Sequence, residues 1–184
     1  MSEPTIVQGV KNTTTYSGLV TTLPITLSST PSTDNYLVFF WTAYVGATNA
    51  SFVSVTDNQS GNTWNSQVEQ QASQPIVAGI VTCKPVNASG TFTATLTMDA
   101  GSYISGSLYE LSNVDSTPLE APGAGSLGTS SSPVADIAAT TNDCLKMGVL
   151  AWWDGNYTAG AGSGWTLGDG YTNNSSQHGA LIVL

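Results

Sequence analysis

The chain has 184 residues and only three basic side chains, Lys11, Lys84 and Lys146, against twelve Asp and Glu, for a formal net charge of −9. A surface so poor in cations repels a phosphate backbone, whose binding comes from Lys and Arg displacing counterions, and it disfavours anionic membranes for the same reason. Neither nucleic acid nor membrane is therefore expected as a partner.

The chain opens on Met1-Ser2-Glu3-Pro4, with no basic n-region and no apolar h-region. No apolar run reaches the roughly 18–20 residues that span a bilayer. The sequence thus predicts a product made without cleavable export. Strands are expected at 4–11 and 23–29. Tyr36 to Val45 (YLVFFWTAYV) is apolar on both faces but for Thr42, the pattern of a strand covered on both faces. A strand at 51–56 leads into Asp57-Asn58-Gln59-Ser60-Gly61-Asn62, and another follows at 62–68.

That Asp57–Asn62 stretch is rich in oxygen, which calcium prefers. It lacks the EF-hand spacing and distal Glu, and reads better as a hairpin turn with Asx bonds and positive φ at Gly61. Pro75 to Cys83 is a second segment apolar on both faces. Thr91 to Met98 alternates strictly. Phe92, Ala94, Leu96 and Met98 form one set and four threonines the other, the signature of a half-buried strand. Asp99-Ala100-Gly101-Ser102 has turn chemistry, so Tyr103 to Leu111 is expected to return beside it as a β-hairpin spanning 91–111.

A Gly/Ser-rich stretch near 118–132 reads as a long surface loop inside one domain, 1–184. Further strands are expected at 131–138, at Leu145–Trp153, at 163–168 and at 179–184. The last, Ala180-Leu181-Ile182-Val183-Leu184, is apolar and needs a partner strand. Either that partner lies inside the sheet or in another subunit, or the natural chain continues past Leu184. Gly, Pro, Thr and Val interrupt every 3.6-residue periodicity. The expected fold is all-β: a single antiparallel β-sandwich, jelly-roll or Ig-like, with about 10–12 strands. At this length folding buries roughly 70% of the unfolded surface, so the core needs no disulfide.

Cys83 and Cys144 are read as buried free thiols, a disulfide between facing strands being the alternative. Without a CxxC or a Cys/His pair at ligand spacing, no metal and no cofactor is expected. His178 with Ser175 or Ser176 and Asp143 or Asp169 lacks the GxSxG elbow of a hydrolase. Glu110 with Glu120, or Asp154 with Asp169, has only the pairing that any carboxylate-rich chain offers a glycosidase. Sequons such as Asn12-Thr13-Thr14 carry little weight without export. No catalytic residue is assigned.

The aromatic residues are more informative. Trp152, Trp153 and Tyr157 lie beside Asp154 and Asn156, and Trp165 and Tyr171 follow in a Gly-rich stretch. Rings next to Asp and Asn suit sugar binding, and they equally suit interface packing. Adjacent strand positions point to opposite faces, so Trp152 and Trp153 cannot both face inward.

Two motifs resemble a known group. Ser54-Val55-Thr56-Asp57 with Gly61-Asn62-Thr63-Trp64 resembles the "SVTD…GNTW" hairpin of a group of β-sandwich domains, and Gly162-Ser163-Gly164-Trp165-Thr166 resembles their late "GSGWT" segment. Such domains occur in phage structural proteins and bacterial surface proteins. The resemblance implies a non-enzymatic virion structural protein: a capsid decoration, or cement, protein made in the host cytoplasm. Its expected partners are the major capsid protein, other virion proteins and further copies of itself. The alternative is a glycan-binding or adhesive module of a tail fibre or cell surface. Trp152, Trp153, Tyr157, Trp165 and Tyr171 are the expected contacts in either case.

Overall fold

The computed structural model describes residues 3–12, 18–45, 50–71, 76–115, 145, 147–153, 167–172 and 178–183, the backbone alone for 67–71, 150–153, 167–172 and 178–183. Among these residues there are ten strands and no helix. They are β1 (Thr5–Asn12), β2 (Val20–Thr26), β3 (Tyr36–Tyr44), β4 (Phe52–Asp57), β5 (Trp64–Gln71), β6 (Ile76–Cys83), β7 (Thr93–Ser112), β8 (Gly148–Trp153), β9 (Leu167–Thr172) and β10 (His178–Val183). Every pairing is antiparallel. The all-β expectation is met. The expected strand at 131–138 and the loop at 118–132 lie outside the described residues.

The expected hairpin at 91–111 does not form. Residues 93–112 are one strand of 20 residues. Its first half is flanked by β2 and β4, with Leu96 opposite both Leu23 and Val55. Its second half is flanked by β1 and β3, with Tyr109 opposite Gly9 and Val38. Asp99, Ala100 and Gly101 mark the change. The β2 register jumps there, from Thr22↔Thr97 to Val20↔Ser102. The small, turn-prone residues thus make a corner within a strand, because partners from elsewhere in the chain claim the two halves separately. Gly101 faces Leu19, whose Cβ lies 3.2 Å from where a side chain would begin.

Two limbs of one seven-stranded sheet result. The smaller is β2–β7–β4; the larger runs β1–β7–β3–β6–β5. Their inner faces meet across a core that joins Leu23, Ile25, Val55, Ala94, Leu96 and Met98 of the smaller limb to Leu37, Phe39, Trp41, Ala43, Val77 and Val81 of the larger. This is the packing of a β-sandwich. Trp41 of β3 stacks on Phe52 of β4, with ring centroids 5.1 Å apart. Trp41 also lies across Gly79, its cross-strand neighbour in β6, where a Cβ would come within 2.6 Å of the indole. Only glycine leaves room for the ring. On the other side of the smaller limb, threonines stand opposite one another, Thr22 to Thr97 and Thr26 to Thr93. The strict alternation of 91–98 is realised as expected.

A separate three-stranded sheet, β8–β10–β9, lies against the outer face of the larger limb, β8 over β6 and β3. Beneath it Val38, Phe40, Tyr109 and Leu111 form a second cluster. Ile80, Val114, Leu145, Met147 and Val149 pack against that cluster. Strands β3 and β6 are therefore covered on both sides, as their predominantly apolar sequences require. The terminal run finds its partners within the chain, since β10 is the central strand of this cover sheet. Of the alternatives for that run, pairing inside the sheet is the one observed.

Candidate functional site

Two polar networks stand out, both built from residues whose chemistry first suggests a site. The first surrounds Asp57, at the end of β4. Its Oδ1 accepts from the Gln59 amide at 2.8 Å and from Asn62 Nδ2 at 3.2 Å, and its Oδ2 accepts from Trp64 Nε1 at 2.7 Å. Gly61 has φ +86°, the left-handed conformation expected of this turn. Asn62 Oδ1 then accepts from the amides of Val86 and Asn87 at 2.8 and 3.0 Å. Asn58 donates to Thr91 O and accepts from the Thr93 amide, at 2.8 and 3.0 Å. Gln59 and Ser89 exchange bonds, Gln59 Nε2 donating to Ser89 O and Ser89 Oγ donating to Gln59 Oε1, both at 3.1 Å.

The Asp57 carboxylate is thus held by N–H groups, and it faces hydrogen-bond donors where a calcium ion would need further oxygens. The Asx bonds and the turn of 57–62 are as expected, but the turn is no hairpin: β4 pairs with β7 and β5 with β6, so 57–62 carries the chain from the smaller limb to the larger. The loop also clamps 84–93, a connection that lies far along the chain and that no local pattern announces. Trp64 carries the clamp into the core, its ring meeting Phe39 edge-on at 6.4 Å.

The second network centres on Glu110, which is 2% exposed. Oε1 accepts from the Ser32 amide at 2.8 Å and Asn35 Nδ2 at 2.6 Å; Oε2 accepts from Gln8 Nε2 at 2.6 Å. Gln8 Oε1 in turn accepts from Ser28 Oγ at 2.9 Å and the Ser29 amide at 3.1 Å. A buried carboxylate is tolerated when its lone pairs are filled by donors. Here the donors pin β1 and the 28–35 loop to β7. Sequence reasoning placed Glu110 only as half of a nominal carboxylate pair. The signal that marks it is a charge set between the apolar Leu108-Tyr109 and Leu111 at the end of β7. Its nominal partner, Glu120, lies outside the described residues.

Cys83 is a free thiol buried in the main core, and burial pushes its pKa up to about 12, with the nearby Asp57 charge adding to the shift. It is a packing residue and no nucleophile. Cys144 lies outside the described residues. Among the described residues no three His, Cys, Asp or Glu side chains converge as a metal site would.

Three of the aromatic candidates fall in the cover sheet. Trp152 sits opposite Gly179 and Trp153 opposite His178, while Tyr171 sits opposite Ala180, which in turn faces Ala151. Trp153 shares the alternate positions of β8 with Val149, the residue that packs on the body, and Trp152 belongs to the other set. Tyr157 and Trp165 lie outside the described residues, as do Asp143, Asp154, Ser175 and Ser176. His178 begins β10 and Asp169 lies in β9.

No family model matches the chain, and no curated protein and no solved structure matches it.

Proposed function

We propose that the chain is a non-enzymatic structural component of a virus particle, a capsid decoration protein that stabilises a phage head. The observation that carries this reading is how three of the described carboxylates are used. Asp57 and Glu110 bind loops to strands, and Asp99 Oδ1 accepts from the Ser51 amide at 2.6 Å. Polar chemistry is spent on stiffening the frame at both ends of the sandwich. A frame of this kind transmits load between neighbours, and burial at its contacts offsets outward pressure from packaged DNA. The charge-poor sequence and the SVTD…GNTW and GSGWT motifs support the same reading. Its partners are the major capsid protein, other virion proteins and further copies of the chain. Co-sedimentation of the purified chain with particles tests it: saturable binding at a fixed number of copies per capsid is expected, and failure both to bind and to co-purify ends the proposal.

A second reading rests on the cover sheet, which brings Trp152, Trp153 and Tyr171 into one three-stranded unit. This reading is a glycan-binding or adhesive module outside the cell. Glycan-array binding lost in Trp153→Ala or Trp152→Ala is the outcome that favours it.

A further inference from the structure

The body and the cover sheet share no strand. Inside the cover, β10 bonds to β8 on one side and β9 on the other, so its ladder is complete without the body. All three strands come from one C-terminal stretch, 148–183. Among the described side chains, by contrast, the main core contains none beyond Leu108. Among the described side chains, what seats the cover is apolar packing: Val38, Phe40 and Ile80 on the body, Val149 with Leu145 and Met147 on the other side.

We propose that the cover sheet is an exchangeable element: it leaves the body as a unit and is taken up by the same face of a second copy, so that two chains trade β8, β9 and β10. Uncovering Val38, Phe40, Ile80, Tyr109 and Leu111 exposes an apolar strip, and the surface that fits it is the one that has just left. Every contact broken in one chain is remade between two, so exchange costs little beyond the entropy of association. The segment 116–144 that joins the parts reaches at most about 100 Å when extended, at roughly 3.3–3.6 Å per residue, ample to reach a neighbour. The proposal deepens the particle-building reading by giving self-association a place. It is measured on the isolated chain, so it can fail while that reading stands.

The test uses full-length chains in which Cys83 and Cys144 are replaced by alanine. One carries Ile80→Cys, the other Val149→Cys. They are unfolded, mixed, refolded at high concentration, oxidised and separated without reductant. A covalent heterodimer containing one of each is expected, absent when either chain is refolded alone. A chain carrying both substitutions, refolded dilute, is expected to close on itself, showing that it folds and that the bond can form. If that control closes and the mixture stays monomeric, the proposal is overturned. The unmodified chain gives a second measure, which does not depend on the variants. Its dimer fraction is expected to rise several-fold when it is refolded at high rather than low concentration, and to persist on dilution. A monomer under both conditions overturns the proposal.

Discussion

The larger limb of the seven-stranded sheet has two faces built from the same strands, and they are covered in opposite ways. The inner face meets a limb to which it is joined through β7 itself, around a core of nineteen buried residues. Among the described residues, the outer face carries a cluster of four buried apolar residues and meets a sheet with which it shares no hydrogen-bonded strand. On β3 the two sets alternate: Leu37, Phe39, Trp41 and Ala43 face the core, and Val38 and Phe40 face the cover. Both sides of this strand are apolar, but their cohesion differs. Hydrophobic burial scales with the area withdrawn from water, and continuity of the backbone ladder decides which parts unfold together.

The largest effect is expected on the inner face. Trp41→Ala removes the ring that fills the space between Gly79 and Phe52, and it should destabilise the fold by about 3–5 kcal/mol in urea unfolding. Glu110→Ala leaves the Ser32 amide, Asn35 and Gln8 without their acceptor. A loss of about 2–3 kcal/mol is expected, with faster exchange of amides in β1 and 28–35. Gly79→Ala forces a Cβ into the Trp41 indole, for about 1–3 kcal/mol. If Gly79→Ala proves neutral, Trp41 is less tightly seated than the 2.6 Å approach implies.

Alkaline unfolding offers a smaller effect. The Cys83 thiol is raised from 9.0 to about 12 in the folded chain. Between those values the unfolded chain loses the proton and the folded chain keeps it. The stability contributed by the buried thiol is therefore intact below pH about 9 and is lost as pH climbs toward 12. Cys83→Ala should flatten that alkaline decline in melting temperature and leave its slope near neutrality unchanged. The smallest global effect belongs to the outer face. Val149→Asp should cost the body less than about 1 kcal/mol, because the body retains its own core, while it loosens the cover sheet selectively. Tryptophan fluorescence and far-UV dichroism, followed together, would separate the two.

Much of this arrangement is legible in the sequence. Strict alternation at 91–98 carries its own orientation, because one set is Phe92, Ala94, Leu96 and Met98 and the other is threonine. The doubly apolar β3 and β6 announce cover on both faces without saying what supplies it. The corner at 99–102 was not legible. Its residues are turn formers, and whether they reverse a chain or bend it depends on β1, β2, β3 and β4, which come from far away in the sequence. The turn at 57–62 was readable from Asp57 and Gly61, since its bonds within the loop are local. Its grip on Val86, Asn87 and Ser89 was not, because those contacts are set by the pairing of β5 with β6. Glu110 was overlooked as a hub because its donors are backbone and amide groups, which no charge pattern reveals.

The most direct test of the difference between the two faces is native-state hydrogen exchange on the unmodified chain. Amides of β8, β9 and β10 should open together, with a common free energy below that of β3, β6 and β7, which should exchange only through global unfolding. Equal protection across all these strands would contradict the account, since body and cover would then be one cooperative unit.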